Sequence, residues 1–307
     1  MMIRASSALL YLLFAATGFC EEPTLQIFLL AGQSNMEGQG VVAMDHPEHY
    51  NHGKGNLVWS MANSASKERM THLKDPEGKW TERNDVSISF KARGKQRSGP
   101  LTIGYMGYGG TTHIGPELQF GHVVGDYLEE PVLLIKTAWG GKSLFKDFRP
   151  PRAGGKVGPS YLQMVYEFHN VLNNLGDRKY LIRGMVWMQG WNDMVSDEAT
   201  AEYASNLHHL AKDLRAEFRC PGIPFIVGEL GNGGPAEKDS RMAKFRAAQK
   251  LGVSRTPGAV FVPTSAFARP AELSPNTSHG HHWFGNAESY FLVGEALGQA
   301  MVTALKK

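Results

Sequence analysis

Five short apolar segments lie at wide intervals along the chain, and none of them alternates strictly between hydrophobic and polar residues. Strands buried on both faces of a parallel sheet have this uniform hydrophobicity, because helices cover each face. The pattern therefore predicts five buried β-strands. They are Leu25–Ala31, Val132–Ala138, Arg183–Gln189, Pro224–Glu229 and Ala259–Pro263.

Between these segments, hydrophobic residues recur at helical spacing. The alternation of strand and helix predicts an α/β fold, a flavodoxin-like three-layer α/β/α sandwich around a central parallel sheet of about five strands. The predicted helices cover Glu117–Leu128, Leu162–Leu175, Tyr203–Phe218, Lys238–Leu251 and about Asn286 to Leu305.

The segment from about residue 37 to 115 interrupts this rhythm. It is rich in Gly, Asn, His and Lys and has no sustained periodicity. Structureless loops of this length are uncommon inside domains, so the segment is expected to form small strands or hairpins of its own. We interpret it as an insertion that caps one end of the sheet, within one domain that covers residues 21–307.

The amino terminus has the layout of a signal peptide. Arg4 precedes an apolar run from Ala8 to Phe19, and Cys20 and acidic residues follow. The run is shorter than the ~20 residues that a membrane span needs. Residues 1–20 are therefore predicted to be cleaved, leaving a secreted or periplasmic protein with no stable membrane insertion. Lipidation of Cys20 and an uncleaved anchor are the alternatives, although Phe19 stands where lipoproteins carry a small residue.

Composition limits the partners that the protein is expected to have. The chain has 307 residues, of which 42% are hydrophobic, and a formal net charge of +3. Its positive charges are spread along the sequence, which gives no electrostatic reason to expect nucleic acid. Removal of Cys20 would leave Cys220 without an intramolecular disulfide partner.

The candidate chemistry begins directly after the first predicted strand, in Gly32-Gln33-Ser34-Asn35. Catalytic groups of open α/β sheets gather at the carboxyl ends of the strands. Gly32 permits a sharp turn there, and Ser34 would be presented at the edge of the sheet. A serine hydroxyl needs a base to become a strong nucleophile.

This segment and three later ones resemble the four conserved blocks of the SGNH/GDSL hydrolases. The branch that they resemble is the one of sialate O-acetylesterases and carbohydrate esterase family 6, where Gly-Gln-Ser-Asn replaces Gly-Asp-Ser. The order, the spacing and the strand-end placement of the blocks agree over about residues 25 to 305. The later blocks are Lys136–Ser143, Gly190–Asp193 and the region around His281–Trp283.

The resemblance implies a role for each block. Ser34 would be the nucleophile and His282 its base. The tetrahedral oxyanion would be bound by the backbone N–H of Ser34, by a backbone N–H of Gly141 in preference to Gly140, and by the side-chain amide of Asn192. Such donors must be held in place before the reaction begins. No cofactor is implied.

The last block departs from the family pattern. Many relatives carry an aspartate three residues before the histidine base, and here His279 occupies that position. Two hypotheses follow. Either Ser34 and His282 act as a dyad, or an acid from elsewhere orients His282, for which Asp193 is the candidate. Triad acids orient the base without taking its proton, so this variation is chemically tolerable.

Two further questions concern the histidines and tryptophans beside these blocks. His279, His281 and His282 could bind zinc, but their spacing matches no common zinc motif, and no metal site is predicted. Substrate contacts are expected from Gln33 and from Trp139, Trp191 and Trp283. Tryptophans can stack on sugar rings, although packing within the pocket explains any one of them equally well.

The sequence therefore predicts a secreted serine esterase that removes O-acetyl groups from a carbohydrate, either a sialic acid or a polysaccharide. A lipid or thioester hydrolase with the same machinery is one alternative. A non-catalytic carbohydrate-binding protein is another, in which the missing acid marks lost activity.

Overall fold

A mostly parallel β-sheet forms the centre of the protein in a computed structural model that describes residues 22–44, 46, 50–92, 94–107 and 110–307. The predicted signal peptide and Cys20 lie outside the described residues. The strands are β1 (Leu25–Gly32), β2 (Gly40–Val41), β3 (Arg83–Ala92), β4 (Lys95–Leu101), β5 (His113–Ile114), β6 (Val132–Ala138), β7 (Tyr180–Met188), β8 (Phe225–Gly228) and β9 (Ala259–Val262).

Seven of these strands build the central sheet, in the order β4-β3-β6-β1-β7-β8-β9. All neighbours run parallel except β4, which is antiparallel to β3 at one edge. Strands β2 and β5 form a separate antiparallel pair. The eight α-helices are α1 (Ser34–Glu37), α2 (Leu57–Asn63), α3 (Glu117–Tyr127), α4 (Pro159–Asn173), α5 (Trp191–Met194), α6 (Asp197–Glu217), α7 (Arg241–Ser254) and α8 (Ala287–Leu305) among the described residues.

Two hydrophobic cores, one on each face of the sheet, make this a three-layer α/β/α sandwich. Phe28 and Leu30 of β1 point to the core shared with α3 and α8. Ile27 and Leu29 point to the other core, which is shared with α4, α6 and α7. Both faces of β1 are therefore apolar, which confirms the predicted α/β class and explains why the segment shows no polar alternation.

All five predicted strands are present, but the sheet is larger than the expected five strands. The two additional strands, β3 and β4, come from the segment that we interpreted as a cap. Val86 and Ile88 of β3 pack into one core, while Ser87 and Ser89 alternate with them. Part of this segment thus extends the sheet at its edge. Only the remainder, with β2, β5 and α2, lies outside the central sheet.

Two glycines allow α8 to approach α3 closely. A Cβ atom on Gly294 would lie 2.3 Å from the carbonyl oxygen of Pro116, and one on Gly298 would lie 2.7 Å from Cβ of Val123. This contact fixes α8, whose first residue, Ala287, follows the loop that carries His282. The packing of these helices therefore positions the last motif block.

We expect Gly294→Ala to destabilise the protein. Helix propensity alone would favour alanine by up to ~1 kcal/mol, but forcing a methyl group against a backbone carbonyl costs about 1–3 kcal/mol. Chemical denaturation should therefore show a lower free energy of unfolding. Gly222→Ala is the matched control, because a Cβ there meets no atom within 4 Å. Equal stability of the two variants would contradict this account of the helix contact.

Candidate active site

Three neighbouring strands end side by side and bring the first three motif blocks together. Gly32, at the end of β1, pairs with Ala138 of β6 on one side and with Met188 of β7 on the other. A Cβ on Gly32 would lie 2.0 Å from the carbonyl oxygen of Met188, so the turn after β1 needs glycine. Ser34 then begins α1 directly beyond the sheet.

Ser34 and His282 lie in hydrogen-bonding contact although 248 residues separate them in sequence. The Nε2 atom of His282 lies 2.9 Å from the Ser34 hydroxyl oxygen. Burial, together with the neighbouring His281 and His279, lowers the pKa of His282 to about 4. The imidazole is therefore neutral at pH 7 and can accept a proton.

The loop that carries His282 is held by the residue that follows Ser34. The amide nitrogen of Asn35 donates to the carbonyl oxygen of His281 at 3.0 Å. The buried hydroxyl of Tyr290, in α8, donates to the other end of the Asn35 side chain at 2.7 Å. Trp283 and Phe284 have φ of 54° and 53°, a left-handed conformation that costs non-glycine residues free energy. These contacts hold His282 in register with Ser34.

A chain of amide hydrogen bonds fixes the orientation of Asn192. The backbone N–H of Gly190, which can only donate, bonds to Oε1 of Gln33 at 3.0 Å. The Gln33 amide nitrogen must then face Asn192, where it donates to Oδ1 at 3.3 Å. The Asn192 amide nitrogen consequently donates to the carbonyl oxygen of Gly141 at 3.1 Å. One unambiguous donor thus sets both side-chain amides.

The two glycines after β6 differ in their contacts. The N–H of Gly140 donates to the carboxylate of Glu37 at 3.1 Å. Gly141 has φ of +71°, and a Cβ there would meet no atom within 4 Å. No described residue accepts a hydrogen bond from the backbone N–H of Gly141 or of Ser34. These two N–H groups and the Asn192 amide are the donors available to an oxyanion.

Asp193 supports the loop after Gly141 and has no contact with His282. Its carboxylate accepts the backbone N–H of Leu144 at 2.8 Å and that of Phe145 at 2.9 Å, together with the side chain of Gln189. Complete burial raises the pKa of Asp193 to about 6, although these three hydrogen bonds oppose the shift. The prediction that Asp193 is the acid that orients His282 is therefore corrected. Asp193 supports the loop after Gly141 instead.

The sequence between residues 24 and 303 matches the model of a family described as carbohydrate esterase, sialic acid-specific acetylesterase. The chain belongs to this family. A protein from Arabidopsis thaliana named "probable carbohydrate esterase" is 27% identical over 215 residues, which are 69% of this chain and 71% of that protein.

Two solved structures share the fold of this carbohydrate esterase family member. The crystal structure of the Arabidopsis thaliana protein aligns with a TM-score of 0.61 at 20% identity, over 92% of this chain and 98% of that one. A carbohydrate acetylesterase from Xanthomonas citri aligns with a TM-score of 0.56 at 15% identity, over 89% of this chain and 55% of that one.

A cleft of about 500 Å³ opens beside His282. Burial lowers the pKa of His113 in this cleft to about 4, and burial also lowers the pKa of His281. The described part of the lining contains no aspartate, glutamate, lysine or arginine. The lining residues are Gln39, Val41, Met44, Tyr50, His113, Asn276, His279, His281, His282 and Gly285.

Half of this lining comes from outside the recognised motif blocks, in the segment 39–113. Sequence reasoning missed these residues because they form no motif. Two of them, Val41 and His113, are brought together only by the pairing of β2 with β5. Asn35 and Tyr290 were likewise not singled out, although Asn35 lies within the nucleophile block. Nothing in its position indicated that its side chain would hold the histidine loop.

Of the four predicted substrate contacts, two are buried and are corrected to structural roles. Gln33 is 3% exposed and aligns Asn192, while Trp283 is 2% exposed and belongs to the core. Trp139 and Trp191 are partly exposed. The Trp191 ring lies 5.5 Å from that of His281, and Trp139 stacks on Phe148. Only these two tryptophans remain candidates for contact with substrate.

The three histidines do not converge as metal ligands. Nε2 of His282 faces Ser34, and Nδ1 of His279 bonds to Oδ1 of Asn276 at 2.7 Å. Throughout the described ranges, no group of three or more His, Cys, Asp or Glu side chains is arranged to hold a metal ion. Over the same ranges, no helix is both long and apolar enough to cross a bilayer.

We expect Asp193→Ala to destabilise the protein without changing the ionisation of His282. Each buried donor left without an acceptor costs about 1–3 kcal/mol, so thermal unfolding should shift to a lower temperature. A carboxylate partner would raise the pKa of an imidazole. If Asp193 oriented His282, its removal would therefore also move the acid limb of the kcat/KM profile to lower pH, and such a shift would restore the triad hypothesis.

Proposed function

We propose that the protein is a serine O-acetylesterase acting on acetylated carbohydrates, with Ser34 as nucleophile and His282 as general base. The observation that carries this proposal is the 2.9 Å contact between Nε2 of His282 and the Ser34 hydroxyl. It joins the first and last motif blocks in the geometry that base-assisted attack by a serine requires.

The proposed reaction has two halves. The Ser34 oxygen attacks the acetyl carbonyl carbon while its proton passes to Nε2 of His282. The tetrahedral intermediate collapses, and His282 returns the proton to the departing sugar oxygen, which leaves acetyl-Ser34. A water molecule then attacks this ester with His282 again as base, and acetate and free Ser34 are regenerated.

The developing oxyanion is proposed to bind three donors, which are the backbone N–H of Ser34, the backbone N–H of Gly141 and the amide nitrogen of Asn192. Gly141 is favoured over Gly140 because the N–H of Gly140 already donates to Glu37. Asn192 is oriented before substrate arrives, through Gln33. Preorganised donors of this kind typically contribute ~10²–10³ in kcat each.

His282 is proposed to work in a dyad. The residue at the usual acid position, His279, carries no carboxylate, and its ring lies nearly parallel to that of His282 with centroids 6.3 Å apart. The orientation of His282 comes from its loop instead. The backbone N–H of His282 donates to the carbonyl oxygen of His279 at 2.9 Å. Asn35 donates to the carbonyl oxygen of His281, and the Tyr290 hydroxyl contacts the carbonyl oxygen of His282.

The substrate class is supported by the family description and by the names of the relatives, which are carbohydrate esterases. The described lining of the cleft contains no carboxylate, lysine or arginine and is compatible with a neutral sugar ring that carries an acetyl ester. The sequence pattern of residues 1–20 further supports a secreted or periplasmic location, where acetylated sialic acids and polysaccharides are both accessible.

Ser34→Ala should abolish acetate release from acetylated glycans and retain the fold. The change removes only one oxygen, and Ser34 begins a short helix whose backbone bonds do not require its side chain. Acetate release from a panel of acetylated sialic acids and polysaccharides would measure the activity, and circular dichroism would check the fold. Retained activity would exclude Ser34 as nucleophile, whereas glycan binding by a wild-type protein that releases no acetate would indicate a carbohydrate-binding protein. Preference for long acyl esters would indicate a lipid or thioester hydrolase.

The pH dependence of kcat/KM should report the low pKa of His282. A general base works in its neutral form, so activity falls as pH falls through its pKa of about 4. We therefore expect near-constant kcat/KM from pH 5.5 to 7, where a histidine with the usual pKa of about 6.5 would lose most of its activity. Asp193→Asn removes a second group close to the site, whose pKa of about 6 lies within this range. A limb near pH 6.5 that persists in that variant would contradict the proposed environment of His282.

A further inference from the structure

The carboxylate of Glu37 lies beside the nucleophile, and the reaction scheme above gives it no role. Its Oε2 accepts the backbone N–H of Gly140 at 3.1 Å. A Cβ placed on Gly140 would lie 3.6 Å from this oxygen and 3.7 Å from Cβ of Ser34. The Glu37 side chain therefore connects the helix that begins with Ser34 to the glycine loop that follows β6.

The main chain of Glu37 is held by a second contact, which comes from the buried Lys136. The ammonium group of Lys136 donates to the carbonyl oxygen of Glu37 at 2.8 Å, to that of Tyr105 at 2.7 Å and to the carboxylate of Glu117 at 2.8 Å. The Lys136 side chain is 0% exposed. A buried ammonium needs acceptors for all three of its protons, and these three contacts supply them. Glu37 is thus fixed at both ends.

These contacts hold the loop that contains the proposed oxyanion donor. Glu37 holds the N–H of Gly140 on one side, and Asn192 holds the carbonyl oxygen of Gly141 on the other. The N–H of Gly141 lies between these two points. Two successive glycines have wide conformational freedom, so without both contacts the direction of this N–H would not be set by the sequence of the loop.

We propose that Glu37 is a positioning residue, which orients the Gly140–Gly141 peptide so that the Gly141 N–H meets the oxyanion. This inference rests on the proposed esterase function. Displacement of a catalytic group by about 1 Å can cost ~10² in rate. A nearby negative charge would by itself disfavour an oxyanion, so the proposal requires that the gain from positioning exceeds this repulsion.

Two substitutions remove the contact between Glu37 and Gly140 in different ways and so test the proposal. Glu37→Ala removes the carboxylate. Gly107→Ala leaves Glu37 in the chain but displaces its side chain, because the new Cβ would lie 1.7 Å from Oε1 of Glu37. The main-chain contact of Glu37 with Lys136 persists in both variants. Each should lower kcat about 10- to 100-fold and change KM less than about threefold, since an interaction specific to the transition state is lost.

The double variant shows whether the two changes act through the same group. If Gly107→Ala acts by displacing the Glu37 carboxylate, the double variant should be no slower than Glu37→Ala alone. Multiplied losses would overturn the proposal, as would a kcat for Glu37→Ala within about twofold of the wild-type value or above it. Glu37→Gln keeps an acceptor for the Gly140 N–H and should recover most of the loss.

Controls separate positioning from stability and from failure of the proposed function. Glu217→Ala removes a carboxylate that pairs with His169 away from the site, and it should retain wild-type kcat. Melting temperatures identify variants that lose the fold. If Glu37→Ala is one of them, the kcat of Glu37→Gln tests the proposal instead. A kcat of Glu37→Gln as low as that of the unfolded variant would overturn the proposal. If Ser34→Ala remains active, the esterase proposal itself fails, whereas an inactive Ser34→Ala beside a fully active Glu37→Ala rejects only the role of Glu37.

Discussion

The arrangement of the site depends on the register of β1 between β6 and β7. Because Gly32 pairs with both Ala138 and Met188, three strands end at the same level and their following loops meet beyond one edge of the sheet. This constraint brings Ser34 and the Gly140–Gly141 loop next to each other. A shift of one residue in either pairing would turn the side chains of the shifted strand toward the opposite core. The two apolar cores that flank β1 therefore also determine the positions of the site residues that follow this strand.

His282 is the one catalytic candidate that this register does not place. It arrives on a loop before α8, and three kinds of contact hold it, namely the glycine-mediated approach of α8 to α3, the Asn35 and Tyr290 hydrogen bonds, and the strained backbone after His282. Strain in a functional loop persists only when the surroundings over-determine the conformation. The buried Tyr290 provides part of that determination, since its hydroxyl connects α8 to Asn35, the residue next to Ser34.

The hydrophobic pattern predicted the strands whose two faces are both covered by helices. Strand β1 is uniformly apolar because a helical layer lies on each side, whereas β3 alternates Val86 and Ile88 with serines and was not recognised in a segment rich in turn residues. Motif spacing likewise located Ser34, Asn192 and His282 near one another. It could not establish the directions of side chains, since a motif specifies position along the chain only. Asp193 therefore seemed available to His282, although its oxygens face the backbone of residues 144 and 145.

In the proposed mechanism, the absence of a carboxylate at position 279 changes how much of the rate the base and the oxyanion donors each supply. A base whose pKa is about 4 is always ready to accept a proton at neutral pH, but it gives less driving force for proton transfer than a base whose pKa lies near the operating pH. Stabilisation of the oxyanion must then supply a larger share of the rate. The polar contacts of the site agree with this division, because Gln33, Glu37 and Asp193 each hold a residue on the oxyanion side of the site. In the proposed mechanism, a rigid oxyanion loop at Gly141 would therefore compensate for the missing acid of the dyad.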